Sequence, residues 1–155
     1  MEIADNNTQK WDRSKDFLIN GITRINNGQA PQEQSDGNRH RICVKSPNSD
    51  LSIAVEYDNN ATNKNDRFGI YLGVRKENGR LSDDEIENLW IRYKLKIYPH
   101  SHCEKSDIFQ ENEVDSSADG KKWQFWIRLN GDEDLRDALV YIETLREALI
   151  QLNLW

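Results

Sequence analysis

Cysteine is scarce in this sequence, with two residues in the whole chain, so a disulfide framework is excluded as its means of stabilisation. No apolar run approaches the roughly 18 residues that a membrane span requires, so no membrane partner is expected. The stretch "MEIADNNTQK" has neither the basic nor the apolar segment of a signal peptide. Together these absences predict a cytoplasmic protein in a reducing compartment. Catalytic signatures are missing too: there is no metalloprotease helix, P-loop, nucleophile elbow or dinucleotide glycine fingerprint. In "GIYLG" the glycines Gly69 and Gly73 fall inside a strand pattern, where they leave backbone uncovered rather than cradle a phosphate. Carboxylates are abundant, yet they gather in helix starts and loops such as "SDDE" and "DEDLRD", and no pair stands out as acid and base. A non-enzymatic protein without a cofactor is the expectation.

What is present is a polar chain of 155 residues, 36% hydrophobic and 31% charged, with a mean hydropathy of -0.90. That length suits one domain spanning residues 1–155, with its polar excess in loops near 28–39, 58–66 and 101–121. A formal charge of -6 disfavours nonspecific duplex DNA binding but leaves room for a local basic patch.

Periodicity divides the chain into elements. "TQKWDRSKDFLINGITRINNG" spaces Trp11, Leu18, Ile22 and Ile25 as a helix, with Thr8 as its cap and Gly28 as its stop. "QAPQEQSDGN" reads as a polar loop. "HRICVK", "LSIAVEY" and "RFGIYLGVRK" alternate as a three-stranded meander. "GRLSDDEIENLWIRYK" opens with Ser82 and Glu85 in capping-box spacing and predicts a second helix, whose apolar face is Ile86, Leu89, Trp90 and Tyr93. "LKIYPH" reads as a strand ended by Pro99, and "KKWQFWIRLN" as another. The terminal "DEDLRDALVYIETLREALIQLNLW" carries an apolar stripe of Leu135, Ala138, Ile142, Leu145, Leu149 and Leu152. Its full burial contributes on the order of 10 kcal/mol gross, enough to dock the helix on the sheet. The same heptad-like seam offers a homodimer as the alternative. The expected fold is an α+β domain in the order α-β-β-β-α-β-β-α, with a five-stranded, mostly antiparallel sheet and helices mainly on one face.

Alternation then assigns faces. Ile42, Val44, Leu51, Ile53, Val55, Tyr57, Phe68, Ile70, Leu72, Val74, Leu95, Ile97, Trp123, Phe125, Ile127 and Leu129 form the core set. The opposite set includes Arg41, Cys43, Glu56, Tyr71, Arg75, Lys96, Tyr98, Trp126 and Arg128. With helices on one side, this second face is expected to be open, aromatic and basic. Tyr71, Arg75, Lys96, Tyr98, Trp126 and Arg128 are therefore its candidate partner-binding residues, being of types that anchor protein interfaces. A single-stranded nucleic-acid platform, with Tyr71, Tyr98 and Trp126 stacking on bases, is the alternative use, and a solvated face that binds nothing is the plain one.

All metal-ligating His and Cys residues fall in two clusters, His40 with Cys43 and His100, His102 with Cys103. Zinc wants about four converging ligands. His40 and Cys43 are an odd step apart in a strand and so leave opposite faces, which argues against a joint site.

The run "RFGIYLGVRKENGRLSDDEIENLW", then "KKWQFWIRL" and the terminal helix, resembles C-terminal accessory regions of PD-(D/E)XK-superfamily nucleases from bacterial defence loci, over residues 67 to 152. The nuclease motif does not carry over. Glu56 is followed two positions later by Asp58 rather than Lys, and Asp119 with Lys121 lies in a polar loop. The element order is also similar to that of class I type III secretion chaperones. These resemblances imply a bacterial or phage protein that binds another protein, as an inhibitor, immunity protein, chaperone or defence accessory.

Overall fold

A computed structural model describes residues 2–36, 39–58, 70–97, 122–128 and 132–155 of the chain. The elements are helix α1 (Glu2–Ile25), strands β1 (Gln32–Asp36), β2 (Arg39–Lys45), β3 (Leu51–Asp58) and β4 (Ile70–Lys76), helix α2 (Asp83–Ile97), strand β5 (Trp123–Arg128) and helix α3 (Asp132–Gln151). The five strands form one antiparallel sheet in sequential order, β1-β2-β3-β4-β5. The α+β class and the five-stranded sheet are as expected, but the order is α-β-β-β-β-α-β-α.

Two elements account for the altered order. "QEQSD" is strand β1, not loop: at the sheet edge it has polar partners, with Gln34 opposite Arg41 and Gln32 opposite Cys43, so apolar alternation never marked it. The "LKI" of "LKIYPH" is helical, because α2 runs on to Ile97, and "YPH" lies outside the described residues. Once a capped helix has nucleated, each further residue adds a hydrogen bond at little cost, and Pro99 falls just beyond the end. The cap is the predicted box: Glu85 N–H donates to Ser82 Oγ at 3.1 Å, and Ser82 N–H donates to Glu85 Oε1 at 2.9 Å. Helix α1 instead begins at Glu2 and passes through Thr8, which is no cap.

The core lies between the helices and one sheet face. Trp11, Leu18 and Ile22 of α1, Ile86, Leu89 and Trp90 of α2, and Ala138, Tyr141, Ile142, Leu145 and Leu149 of α3 pack on Ile42, Val44, Ile53, Val55, Tyr57, Leu72 and Val74. Ala138, Ile142, Leu145 and Leu149 of the predicted α3 stripe are thus buried in the chain's own core. Helix α3 packs on both neighbours. It runs parallel to α1, because Gly21 approaches Leu139 at one level and Ile25 and Asn26 meet Arg146 further along. A Cβ on Gly21 would lie 2.3 Å from Leu139 Cδ1, which explains a glycine in mid-helix.

Both helices of the α1–α3 pair close at their C-termini with asparagine. Asn27 and Asn153 have φ of 55 and 58, and the following residues fold back, Gly28 N–H to Thr23 O at 2.8 Å and Leu154 N–H to Leu149 O at 2.9 Å. Arg146 completes the α1 terminus by donating to Ile25 O at 2.9 Å and Asn26 Oδ1 at 3.1 Å, which places a cation where the helix dipole favours one.

Candidate functional site

The predicted face does not stay together as expected. Tyr71 lies on β4, partly exposed, opposite Glu56 on one side and Arg128 on the other. Trp126 and Arg128 are on β5, in register with Gly73 and Tyr71. Lys96 belongs to α2, not to the sheet, since the segment read as a strand is helical. Tyr98 lies outside the described residues. Arg75 is buried, at 3% exposure, with its guanidinium 4.9 Å from the centroid of the Trp123 ring.

Trp123 itself was expected in the core set. The pairing shifts between Val74 and Arg75, so that Phe125 faces Val74 but Trp123 faces Arg75, leaving Gln124 as the extra residue. Such a bulge reverses side-chain parity and puts Trp123 beside the arginine. Gln124 turns inward, accepts from Leu81 N–H at 2.8 Å and donates to Lys122 O at 3.0 Å, fastening the entry of α2 to β5.

The second face is closed rather than open across its middle strands. Arg41, Cys43, Ser52, Ala54, Glu56 and Arg75 are all buried. Arg41 and Glu56, directly opposite across β2 and β3, form its centre: Nε and Nη2 donate to the same Oε1 at 3.0 and 2.6 Å. Arg41 Nη1 also donates to Gln34 Oε1 at 3.1 Å, and Cys43 Sγ lies 3.9 Å from that oxygen, so β1 is tied down by the same cluster. Burial raises the Glu56 pKa above the ordinary carboxylate value despite the opposing pull of Arg41. Desolvation likewise pushes the Cys43 thiol up to about 11, the reverse of an activated nucleophile.

A cleft opens at the β1 edge, where α1 crosses β1 and β2. It encloses about 130 Å³ and is lined by Trp11, Asp12, Lys15, Glu33, Gln34, Ser35, His40, Arg41, Ile42 and Tyr57. Its aromatic wall is Tyr57, which stacks with Trp11 at 5.6 Å between centroids and with His40 at 6.4 Å. Register puts Glu33, Ser35, His40, Ile42 and Tyr57 on the helix side of the sheet. Ser35 Oγ and His40 Nδ1 lie 3.1 Å apart, and Lys15 Nζ is 3.5 Å from Glu33 Oε1. Sequence reasoning put Trp11 on the first helix, Tyr57 in the core set and His40 in a His/Cys cluster that it judged unfit for a joint metal site, and it did not bring the three together. The missing signal was β1, without which the three rings have no common rim.

His40 and Cys43 do leave opposite faces, His40 beside Tyr57 and Cys43 against Gln34. Among the described residues no group of three or more His, Cys, Asp or Glu is placed to hold a metal ion, and His100, His102 and Cys103 lie outside them. No helix among the described residues is long and apolar enough to cross a membrane. Comparison of the chain with protein-family models, curated proteins and solved structures finds no match in any of the three.

Proposed function

We propose that this chain is a non-enzymatic protein-binding module that engages a partner along the β1 edge. The observation that carries this reading is the juxtaposition of an edge strand with a cleft sized for one side chain. Pockets that enclose small-molecule substrates measure roughly 300 to 1,000 Å³, well above this one. An added strand, by contrast, takes its affinity from main-chain hydrogen bonds and needs just such small recesses for alternate side chains. Bacterial or phage origin, cytoplasmic location and a role as inhibitor, immunity protein, chaperone or defence accessory belong to the same proposal, on the resemblances given above.

Neither buried group of the second face is set up as a nucleophile. Glu56 is held by Arg41, and the Cys43 thiol is pushed toward its unreactive form. The nucleic-acid alternative asks for cations on the sheet face, whereas Arg41 bonds Glu56 and Gln34, and Arg75 is buried over Trp123. The test is site-specific photo-crosslinking in cells with benzoyl-phenylalanine placed either at Ser35 or at Glu143, both exposed and on different surfaces. A discrete protein adduct from position 35 that is absent from position 143 is the expected result. Adducts from 143 alone, or equal adducts from both, overturn the assignment of the surface.

A further inference from the structure

The chemistry of the β1 cleft specifies its occupant further, on the premise that the β1 edge binds protein. We propose that the cleft receives the cationic head of one basic side chain, lysine or arginine, presented by an extended partner segment laid along β1.

Three observations lead there. The cleft, about 130 Å³, is small and open at the β1 edge, so it suits a side-chain head presented from a segment along that edge. In its wall Trp11 and Tyr57 are buried and stacked, and the part-exposed ring of the stack is His40, whose flat side can carry the aliphatic stem of a Lys or Arg side chain. Its charges also balance in one direction. Arg41 is compensated by Glu56 and Lys15 by Glu33, which leaves the exposed Asp12 carboxylate as the remaining charge of the lining. The net charge of -6 adds a long-range preference for basic segments. Because side chains alternate along a strand, an added segment turns every second residue to the helix side, where Asp12 and Lys15 stand.

The experiment titrates isotope-labelled full-length protein with acetylated, amidated extended peptides that are identical except for a central Arg, Lys, Gln or Glu. Backbone amide signals of residues 32–36 and the Trp11 indole signal are followed. The Arg and Lys peptides are expected to bind about three- to fivefold more tightly than the Gln peptide, the range of a partly exposed ion pair, with Glu the weakest. Asp12→Asn should erase that preference, and added salt should shrink it. If all four peptides shift the β1 signals equally, or if Asp12→Asn retains the preference, the cation inference is overturned while edge-strand binding stands. If no peptide shifts the β1 signals, edge-strand binding falls with it.

Discussion

Replacing Glu56 by Leu and Arg41 by Met, singly and together, tests whether the second sheet face is a sealed polar layer. In Glu56→Leu the Arg41 guanidinium stays buried with Gln34 as a hydrogen-bond partner and cannot lose its proton, so the cost is about 3 to 5 kcal/mol. That cost should be flat with pH. In Arg41→Met the Glu56 carboxyl has an escape, because it can protonate. The escape costs about 1.4 kcal/mol per pH unit above the ordinary glutamate value, about 4 kcal/mol at neutral pH, which caps the electrostatic penalty. The sign follows from the raised folded-state pKa of Glu56: its stability contribution is fully present below the unfolded-state value and is lost as pH rises toward the folded one. The Arg41→Met penalty should therefore shrink from neutral pH toward pH ~4.5, while that of Glu56→Leu does not. The double variant, with neither charge left buried, should lie within about 2 kcal/mol of the parent, giving a large coupling energy. Urea unfolding of the four proteins at several pH values supplies the numbers. Additive single effects of under about 1 kcal/mol, the behaviour of an exposed pair, would refute the sealed layer.

Further outcomes follow from the packing. Gly21→Ala should lose about 1 kcal/mol despite the better helix propensity of alanine, because its Cβ meets Leu139; in a Leu139→Ala background the same change should become stabilising by a similar amount. In a Cys103→Ser background, Cys43 should resist thiol reagents at pH 8, where a pKa of about 11 leaves roughly one thiolate in a thousand, and should react only as fast as the protein opens. Asp50 is held below its ordinary value by Lys76, so its contribution is present above the usual carboxylate range and lost as pH falls through the lowered pKa. The stability gap between the parent and Asp50→Asn, at most about 1 kcal/mol for this partly exposed pair, should accordingly close in acid and stay constant at neutral pH.

The core was legible because burial imposes period on sequence. Ile42, Val44, Ile53, Val55, Leu72 and Val74 lie on the predicted face, and Ala138, Ile142, Leu145 and Leu149 of the α3 stripe pack where their spacing placed them. Legibility failed where period was absent or ambiguous. The edge strand β1 carries no apolar residue in "QEQSD", so nothing in its pattern opposed a loop. The run "LKI" fits a strand and a helix end equally well, and the capped turn at Ser82 decided for the helix from a dozen residues away. A bulge at Gln124 inverted the parity on which the placement of Trp123 depended. The burial of Arg41, Glu56 and Arg75 was illegible for a different reason: isolated charges on alternate positions read as solvated until their cross-strand partners are known. The cleft depended on all of this, since Trp11, His40 and Tyr57 come from three elements and meet at a rim made by the unrecognised strand.

The most direct measurement of the central claim is amide hydrogen exchange on the complex with the partner captured at Ser35. Binding along the β1 edge predicts new protection in residues 32–36, with none on the outer surface of α3, where Val140 and Ile150 are about half exposed. Protection confined to that α3 surface, with β1 exchanging as in the free protein, would contradict it.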